Sequence, residues 1–261
     1  MTPKAKGSYF KSKHVEQATL SYIHFIKMPK PSQGNTTWDI VLLPAGKKPI
    51  LVMAVLKSKP DEGGGDDTFY VCYVAEGHKQ AEGVNYSEMF ATAAKIPSFR
   101  VVLGNATQED WEIHQVDVKS VYLNVPLEET MYMLPPLGVL WLEQEGMVCH
   151  LKKGLYGLKQ AGCGWQKMLT AVFINDLRLK WSAVDHLVFI LKTDKEHTVV
   201  TVVTDDMAVT SKQILDVAKF KSELQKHFNI TDLGEMTCFL GFDVCHNWAA
   251  QSITINHTAY I

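Results

Sequence analysis

The amino-acid sequence predicts an α+β fold with a largely antiparallel sheet. Segments rich in β-branched and aromatic residues mix with amphipathic segments, and no regular strand–helix–strand order emerges. Some strand-like segments also follow one another through short Pro/Gly or Asp-containing turns, as in antiparallel hairpins. The 261-residue chain is long enough for one large domain or two modest domains with a buried core.

The first 120 residues contain four predicted strands and one predicted helix. Residues 1–34 have weak periodicity and end in a Pro/Gly/Ser-rich breaker, which indicates a poorly defined N-terminal extension. A hairpin around a Pro-Gly turn is predicted at residues 37–59, and a Gly-rich loop at residues 59–67. A strand at residues 68–77, a helix at residues 97–110 and a further strand at residues 111–120 are predicted to follow.

The second half is predicted to contain two amphipathic helices among short strands. Apolar residues of the first helix recur at the helical spacing of three and four, at Trp165, Met168, Leu169, Val172 and Phe173. The second helix covers residues 214–228. Strands are predicted at residues 147–157 (with a turn), 185–192, 197–204, 238–244 and 252–257.

Composition indicates an ordinary intracellular globular protein. No apolar run reaches the roughly 18 residues needed to span a membrane, and the N-terminus lacks the apolar core of a signal peptide. Five scattered cysteines without a Cys-x-x-Cys pair argue against a disulfide or zinc framework. The formal net charge of −2 means that any nucleic-acid surface must be a local patch.

Two adjacent carboxylates, Asp205 and Asp206, interrupt the otherwise apolar segment TVVTDDMAVTS. A hairpin turn is expected here, and an Asp-Asp pair is also common in ordinary turns. Because side chains alternate between the faces of a strand, one aspartate would be a primary metal ligand and the other peripheral. A plain turn, a metal site and a degenerate copy of a metal site all fit this segment.

Asp117 is the candidate partner carboxylate. It lies in the apolar strand segment IHQVDVKS, where a buried charge needs a cation or a hydrogen-bond network. Backbone donors satisfy many such aspartates, so a purely structural role is the alternative. A site made of aspartates alone suits Mg²⁺, which keeps several waters and binds substrate phosphates.

Five segments occur in a characteristic order: WEIHQVDVKSVYLNVPLEETMYM, VCHLKKGLYGLKQAGCGW, SAVDHLVFILK, VVTDDMAVTS and ITDLGEMTCFLGFDV. Together with the preceding NTTWDIVLLPAGKKPI and YVAEGHKQAEGVNYSEMFATAAKI, they resemble the reverse transcriptase of copia-type LTR retrotransposons. The resemblance covers residues 35–261. The threonine before the aspartate pair and the glycines of QAGCGW are similar to variants of the fungal lineage.

The resemblance implies a right-hand polymerase fold with fingers and palm. It further implies an antiparallel palm sheet with packed helices, and a chain that lacks the thumb and RNase H. Residues 35–110 and about 125–165 would be mainly fingers. Residues 111–124 and 166–245 would be mainly palm and primer grip.

The activity implied by the resemblance is that of an RNA-directed DNA polymerase. It adds dNTPs to a primer 3′-hydroxyl by two-metal phosphoryl transfer. Asp117 and Asp205 would hold two Mg²⁺ ions, which Mn²⁺ can replace, with Asp206 as the peripheral catalytic aspartate. The implied nucleotide-binding residues are Val118, Val121, Tyr122, Tyr156, Gly157 and Gln160. The implied primer grip consists of Phe239, Leu240 and Gly241.

The resemblance also implies partners and a location. The partners are an RNA or DNA template with its primer, dNTPs, and other polyprotein parts such as RNase H, integrase and the capsid particle. A homo-oligomer is an alternative to those parts. No membrane partner is expected, and the expected location is the cytoplasm, within a virus-like particle, or the nucleus.

Several positions depart from the family pattern. In the fingers segment FYVCYVAEG, Val71 and Tyr73 replace a lysine and an arginine, and Glu76 replaces a lysine. Each lost cation removes a charge-assisted phosphate contact worth about 1.5–3 kcal/mol. Val121 stands for a common alanine, and Cys163 stands for a common arginine. These changes favour the alternative of a catalytically impaired relic or domesticated fragment that keeps the palm fold and at most binds nucleic acid.

Overall fold

The computed structural model describes residues 37–59, 68–135 and 146–257, with side chains left out of the description at residues 56–59 and 68–72. The N-terminal extension predicted for residues 1–34 and most of the Gly-rich loop predicted for residues 59–67 lie outside the described residues.

The described residues form strands and α-helices in a mixed order, which confirms the mixed α and β class. The strands are β1 (Trp38–Leu42), β2 (Val52–Lys59), β3 (Thr68–Ala75), β4 (Glu112–Val118), β5 (Pro126–Met133), β6 (Met147–Lys153), β7 (Lys180–Trp181), β8 (Val188–Lys192), β9 (His197–Val203), β10 (Asp206–Ser211), β11 (Ile230–Glu235), β12 (Cys238–Phe239), β13 (Phe242–Asn247) and β14 (Ser252–Asn256). The α-helices are α1 (Ile96–Gln108), α2 (Ala161–Ala171), which a π turn at Val172–Asp176 continues, and α3 (Ile214–Gln225).

The first of two compact units comprises residues 1–87 and 127–159. Its described part contains a three-stranded sheet in the order β1-β6-β5 and a β2-β3 hairpin. The predicted hairpin over residues 37–59 is wrong, because β1 pairs with β6 and β2 pairs with β3. The physical reason is the connection from Leu43 to Leu51, which is longer than the two to five residues typical of a hairpin loop.

The second unit comprises residues 88–126 and 160–261. A six-stranded antiparallel sheet in the order β11-β4-β10-β9-β8-β7 forms its centre. The predicted grouping of residues 35–110 differs from this division, since α1 belongs to the second unit.

Alternation along the strands gives the six-stranded sheet two apolar faces. Val116 and Val118 of β4 belong to a core cluster shared with α2 and α3. Ile113 of the same strand belongs to a second cluster, shared with α1 and the β12-β13-β14 sheet. Asp117 therefore lies, with Ile113, on the face that packs against α1 and the small sheet.

The three predicted helices are confirmed within a few residues at each end. Pro97 lies at the start of α1, where its missing N–H costs no helical hydrogen bond. Strands β5, β7 and β11 were not predicted, and a turn divides the strand predicted at residues 238–244 into β12 and β13. β5 carries charged, outward-facing residues over its first half, and β11 contains an irregularity between Asp232 and Gly234, so neither shows a clean apolar alternation.

Among the helices of the described ranges, none has the length and apolar character required to cross a membrane.

A buried lysine joins α3 to the sheet. Lys221 is 7% exposed; its Nζ donates to Oδ1 of Asp232 on β11 at 2.5 Å and lies 2.9 Å from Nδ1 of His114 on β4. Burial and the charge of Lys221 lower the pKa of His114, against the smaller raising effects of Glu112 and Asp232. His114 is thus held as the neutral imidazole beside a cation.

Stability is expected to fall as the pH drops below about 6.5, the ordinary pKa of histidine. The pKa values of His114 and His197 are both lowered in the folded chain, so the unfolded chain binds protons first and acid favours unfolding. The urea midpoint should be lower at pH 5.5 than at pH 7.5. A His114→Gln variant should show a smaller drop, and an unchanged pH dependence would contradict this assignment.

Candidate active site

The register of β4 against β10 brings two of the three predicted aspartates together. Asp117 of β4 is the direct cross-strand partner of Asp206 of β10. Directly opposed residues of an antiparallel pair project from the same face with Cβ atoms about 4.5–5.5 Å apart. The carboxylates of Asp117 and Asp206 therefore share one face at the end of both strands.

Asp205 lies in the turn between β9 and β10. Val203 pairs with Asp206, which leaves Thr204 and Asp205 as a two-residue hairpin loop. Thr204 has a φ of +55°, in the left-handed region that two-residue hairpin turns require at one or both positions. The carbonyl oxygen of Asp205 accepts a hydrogen bond from the Val118 N–H at 2.9 Å, which ties the turn to the end of β4.

The position of Asp205 differs from the one that strand alternation predicts. Alternation applies to two adjacent strand residues and places them on opposite faces. Only Asp206 is a strand residue, and it lies on the same face as Asp117, whereas the turn sets the direction of Asp205. The alternation rule therefore does not distinguish a primary from a peripheral ligand here.

Trp165 of α2 fixes the turn from the other side. Its indole N–H donates to the carbonyl oxygen of Thr204 at 2.7 Å, and its ring packs edge-on against Phe228 at 5.0 Å. The side chain is almost fully buried. The hairpin carrying Asp205 is thus bonded both to a neighbouring strand and to a helix.

The three carboxylates repel one another. Burial is the main cause of the raised pKa of Asp206, and the negative charges of Asp205 and Asp117 raise it further. The opposing effect is a hydrogen bond from Nε2 of Gln115 to Oδ1 of Asp206 at 3.2 Å. This corner of the sheet consequently favours a bound cation or a bound proton.

Tyr122 lies next to this cluster on a short 3₁₀ turn, Val121–Asn124. The pKa of its phenol is raised by burial and then by the charge of Asp205. Val118 and Val121, also predicted to contact the nucleotide, have side chains 1% and 0% exposed in the core cluster with α2. Of these three residues, Tyr122 has the side chain that is accessible to a ligand.

The remaining predicted nucleotide-binding residues are distributed over both units. Tyr156, which is 39% exposed, and Gly157, with a φ of +89°, follow β6 in the first unit. Gln160 is buried at the N-terminal end of α2 in the second unit.

The predicted primer grip forms the hairpin between β12 and β13. Phe239 pairs with Phe242, so Leu240 and Gly241 form its two-residue turn, with φ values of +54° and +78°. Two positive values are those of a type I′ turn, and a leucine there is unusual. Phe239 is buried against Phe99 of α1 at a ring distance of 4.6 Å. The hairpin is thus anchored on the face of the sheet that carries Asp117.

Comparison with known protein families gives one match that spans most of the chain. The family described as "Reverse transcriptase (RNA-dependent DNA polymerase)" matches residues 35–261. The chain belongs to this reverse transcriptase family.

Relatives of this reverse transcriptase domain are Pol polyproteins of copia-type transposons, which confirms the predicted resemblance. The retrovirus-related Pol polyprotein from transposon TNT 1-94 of Nicotiana tabacum is 31% identical over 229 residues, covering 88% of this chain and 17% of the relative. The corresponding protein from transposon RE1 of Arabidopsis thaliana is 32% identical over 216 residues, covering 80% and 14%. The chain thus spans less than a fifth of either relative.

A solved structure is similar at low identity. It is described as apo telomerase from Candida tropicalis truncated from its C-terminal domain. The match has 13% identity and a TM-score of 0.40, and covers 93% of this chain and 60% of the other.

The donor set of the reverse transcriptase domain fits a hard divalent cation. Over the described ranges, no group of three or more histidine, cysteine or acidic side chains is placed to hold a metal ion by itself. Mg²⁺ does not require such a cage, since it usually binds one or two carboxylates, several waters and substrate phosphates. The direct pairing of Asp117 with Asp206, beside the Asp205 turn, is the observation that supports a cation at this corner.

Two supporting residues of the reverse transcriptase site were not found from the sequence. The sequence pattern predicts Trp165 in the apolar stripe of a helix, where its indole N–H gives no separate signal. Gln115 lies two residues before Asp117 on the same strand face, and this spacing was the available clue.

Replacing Trp165 by phenylalanine is expected to loosen the Asp205 turn. The variant keeps an aromatic ring but leaves the Thr204 carbonyl without the indole N–H, which should lower the free energy of unfolding by about 1–3 kcal/mol. Urea unfolding measures the loss, and Trp181→Phe, at an indole that is 53% exposed, is the control. Equal effects of the two substitutions would contradict the proposed role of the hydrogen bond.

Proposed function

We propose that this chain is an RNA-directed DNA polymerase domain of a copia-type retrotransposon. It would add dNTPs to a primer 3′-hydroxyl on an RNA or DNA template. The observation that carries this proposal is the register that sets Asp117 opposite Asp206 next to the Asp205 turn, in a chain of the reverse transcriptase family.

The second unit is proposed as the palm and the first unit as the fingers. The antiparallel sheet with α2 and α3 on one face supports the palm assignment. Under this proposal α1, predicted as part of the fingers, would belong to the palm. RNase H, integrase and capsid functions would belong to other parts of a Pol polyprotein, since the relatives are far longer than this chain.

Asp117 and Asp205 would hold the divalent ions, with Asp206 beside them. When bound, Mg²⁺ lowers the pKa of the primer hydroxyl and neutralises charge on the triphosphate. In the proposed reaction the primer 3′-hydroxyl would lose its proton to water, its oxygen would bond to the α-phosphorus, and the bond to pyrophosphate would break.

The chain's other residues would orient the reactants. Tyr122 would place its ring beneath the sugar and exclude a ribose 2′-hydroxyl. Trp165 and the Val118 N–H hold the Asp205 turn, while the Leu240–Gly241 turn would grip the primer end. Because the side chains of Val118 and Val121 are buried, any nucleotide contact of these two residues would come from their backbone.

A second candidate function is nucleic-acid binding without efficient catalysis. Two positions where the family carries cations contain Tyr73, whose pKa is raised by burial, and Glu76, whose carboxylate pairs with Lys79 at 2.5 Å. At a third, Cys163 is buried, and its thiol lies 3.6 Å from Glu88. The side chain of Val71 is outside the described residues. These contacts supply no cation for a triphosphate at the described positions.

Primer extension on poly(rA)/oligo(dT) with Mg²⁺ tests the proposed activity. Asp117→Asn and Asp205→Asn should each reduce extension by at least about 100-fold, since a metal site supplies several kcal/mol of transition-state stabilisation. Asp194→Asn, at an exposed aspartate in the β8–β9 loop, is the matched control and should extend like the wild type.

The two candidate functions give different results. Extension that depends on Asp117 and Asp205 supports the polymerase. If the folded wild type binds the primer–template but does not extend it, the polymerase proposal is wrong and the non-catalytic alternative is favoured.

A further inference from the structure

Two backbone segments of the first unit cross in direct contact. Ala75 donates its N–H to the carbonyl oxygen of Tyr156 at 2.8 Å. A Cβ at Gly77 would lie 1.9 Å from the oxygen of Gly157, and a Cβ at Gly157 would lie 2.1 Å from the oxygen of Ala75. Only glycine fits at either position, so the path of residues 156–159 is set against residues 75–80.

Gln80 locks this crossing through its side chain. The residue is 5% exposed, and its Oε1 accepts the Lys159 N–H at 2.9 Å. Its Nε2 donates to Sδ of Met131 at 3.4 Å, and its own N–H bonds to Gly77 at 3.0 Å. Both ends of the amide are therefore held, which leaves the acceptor oxygen in a fixed direction.

Lys159 reinforces the same contact with its ammonium group. Its Nζ donates to the backbone oxygen of Gln80 at 3.3 Å and to the hydroxyl of Tyr86 at 3.2 Å, and it lies 4.6 Å from the centre of the Tyr86 ring. The ammonium group of Lys159 in the LYGLK segment thus contacts Gln80 and Tyr86 of the same unit.

We propose that Gln80 is a positioning residue for nucleotide binding. It holds the backbone at Lys159, and through this short segment it sets the positions of Tyr156 and Gly157. This inference rests on the proposed function, which assigns Tyr156 and Gly157 to the incoming nucleotide. Loss of the acceptor leaves the Lys159 N–H without that partner and loosens this segment, while the sheet of the second unit is untouched.

The test measures dTTP binding to the protein on poly(rA) with a dideoxy-terminated oligo(dT) primer. Gln80→Met keeps the side-chain length and removes the acceptor, whereas Gln80→Glu keeps an acceptor oxygen at the same position. Gln108→Met, at an exposed residue that ends α1, is the matched control.

In Gln80→Met the Kd for dTTP should rise about tenfold, the effect of losing one fixed hydrogen bond. Gln80→Glu should recover most of this loss, and Gln108→Met should bind like the wild type. The Kd for the primer–template should change less than about twofold in all variants, since its proposed contacts in the second unit are unaltered.

Two results would overturn the positioning role. One is wild-type dTTP affinity in Gln80→Met; the other is a joint loss of dTTP and primer–template affinity that Gln80→Glu does not recover. If the wild type binds dTTP but does not extend an unblocked primer, the polymerase proposal alone is overturned. The role of Gln80 is then still tested by comparing the Kd for dTTP between the wild type and the Gln80 variants. A wild type that does not bind dTTP overturns both.

Discussion

The pairing register of β4 against β10 is the constraint on which the site depends. Val116 and Val118 on either side of Asp117 must stay in the core with α2 and α3. A slip of one residue would exchange the faces, moving these valines out of that core and placing the Asp117 carboxylate in it. Hydrophobic burial therefore decides that Asp117 faces Asp206, and the position of the carboxylates follows from the packing of their neighbours.

The clustering of carboxylates at this corner of the sheet lowers the stability of the fold, although the proposed function requires it. Burial and then the like charges of Asp205 and Asp117 raise the pKa of Asp206, against the lowering effect of the Gln115 hydrogen bond. Bonds to Trp165 and the Val118 N–H hold the Asp205 turn in place despite the repulsion. Like charges that the surrounding structure holds close together are typical of a site that binds a ligand of opposite charge. In the first unit, by contrast, the carboxylate of Glu76 pairs with a nearby cation, Lys79.

Local patterns in the sequence were sufficient for the helices and for a hairpin turn at the aspartate pair, although the turn residues are Thr204 and Asp205, and Asp206 belongs to a strand. Asp117 could be chosen as the partner because a charge in an apolar strand is conspicuous. The pairing of β1 with β6 could not be found, since Trp38 and Leu151 are far apart in the chain. The roles of Trp165 and Gln80 could not be predicted for a related reason. Each side chain makes a buried hydrogen bond to a residue that is distant in the sequence, and local sequence patterns do not identify that partner.

If the proposed function is correct, Asp117 and Asp206 repel each other and a divalent cation at this corner offsets the repulsion. A double-mutant cycle with Asp117→Asn, Asp206→Asn and the double variant, followed by urea unfolding, measures their coupling directly. In EDTA each single variant should be more stable than the wild type, and the double variant should gain less than the sum, by about 0.5 kcal/mol or more after solvent screening. Mg²⁺ should stabilise the wild type more than any variant and remove this coupling. Additive effects in EDTA together with no response to Mg²⁺ would contradict the account.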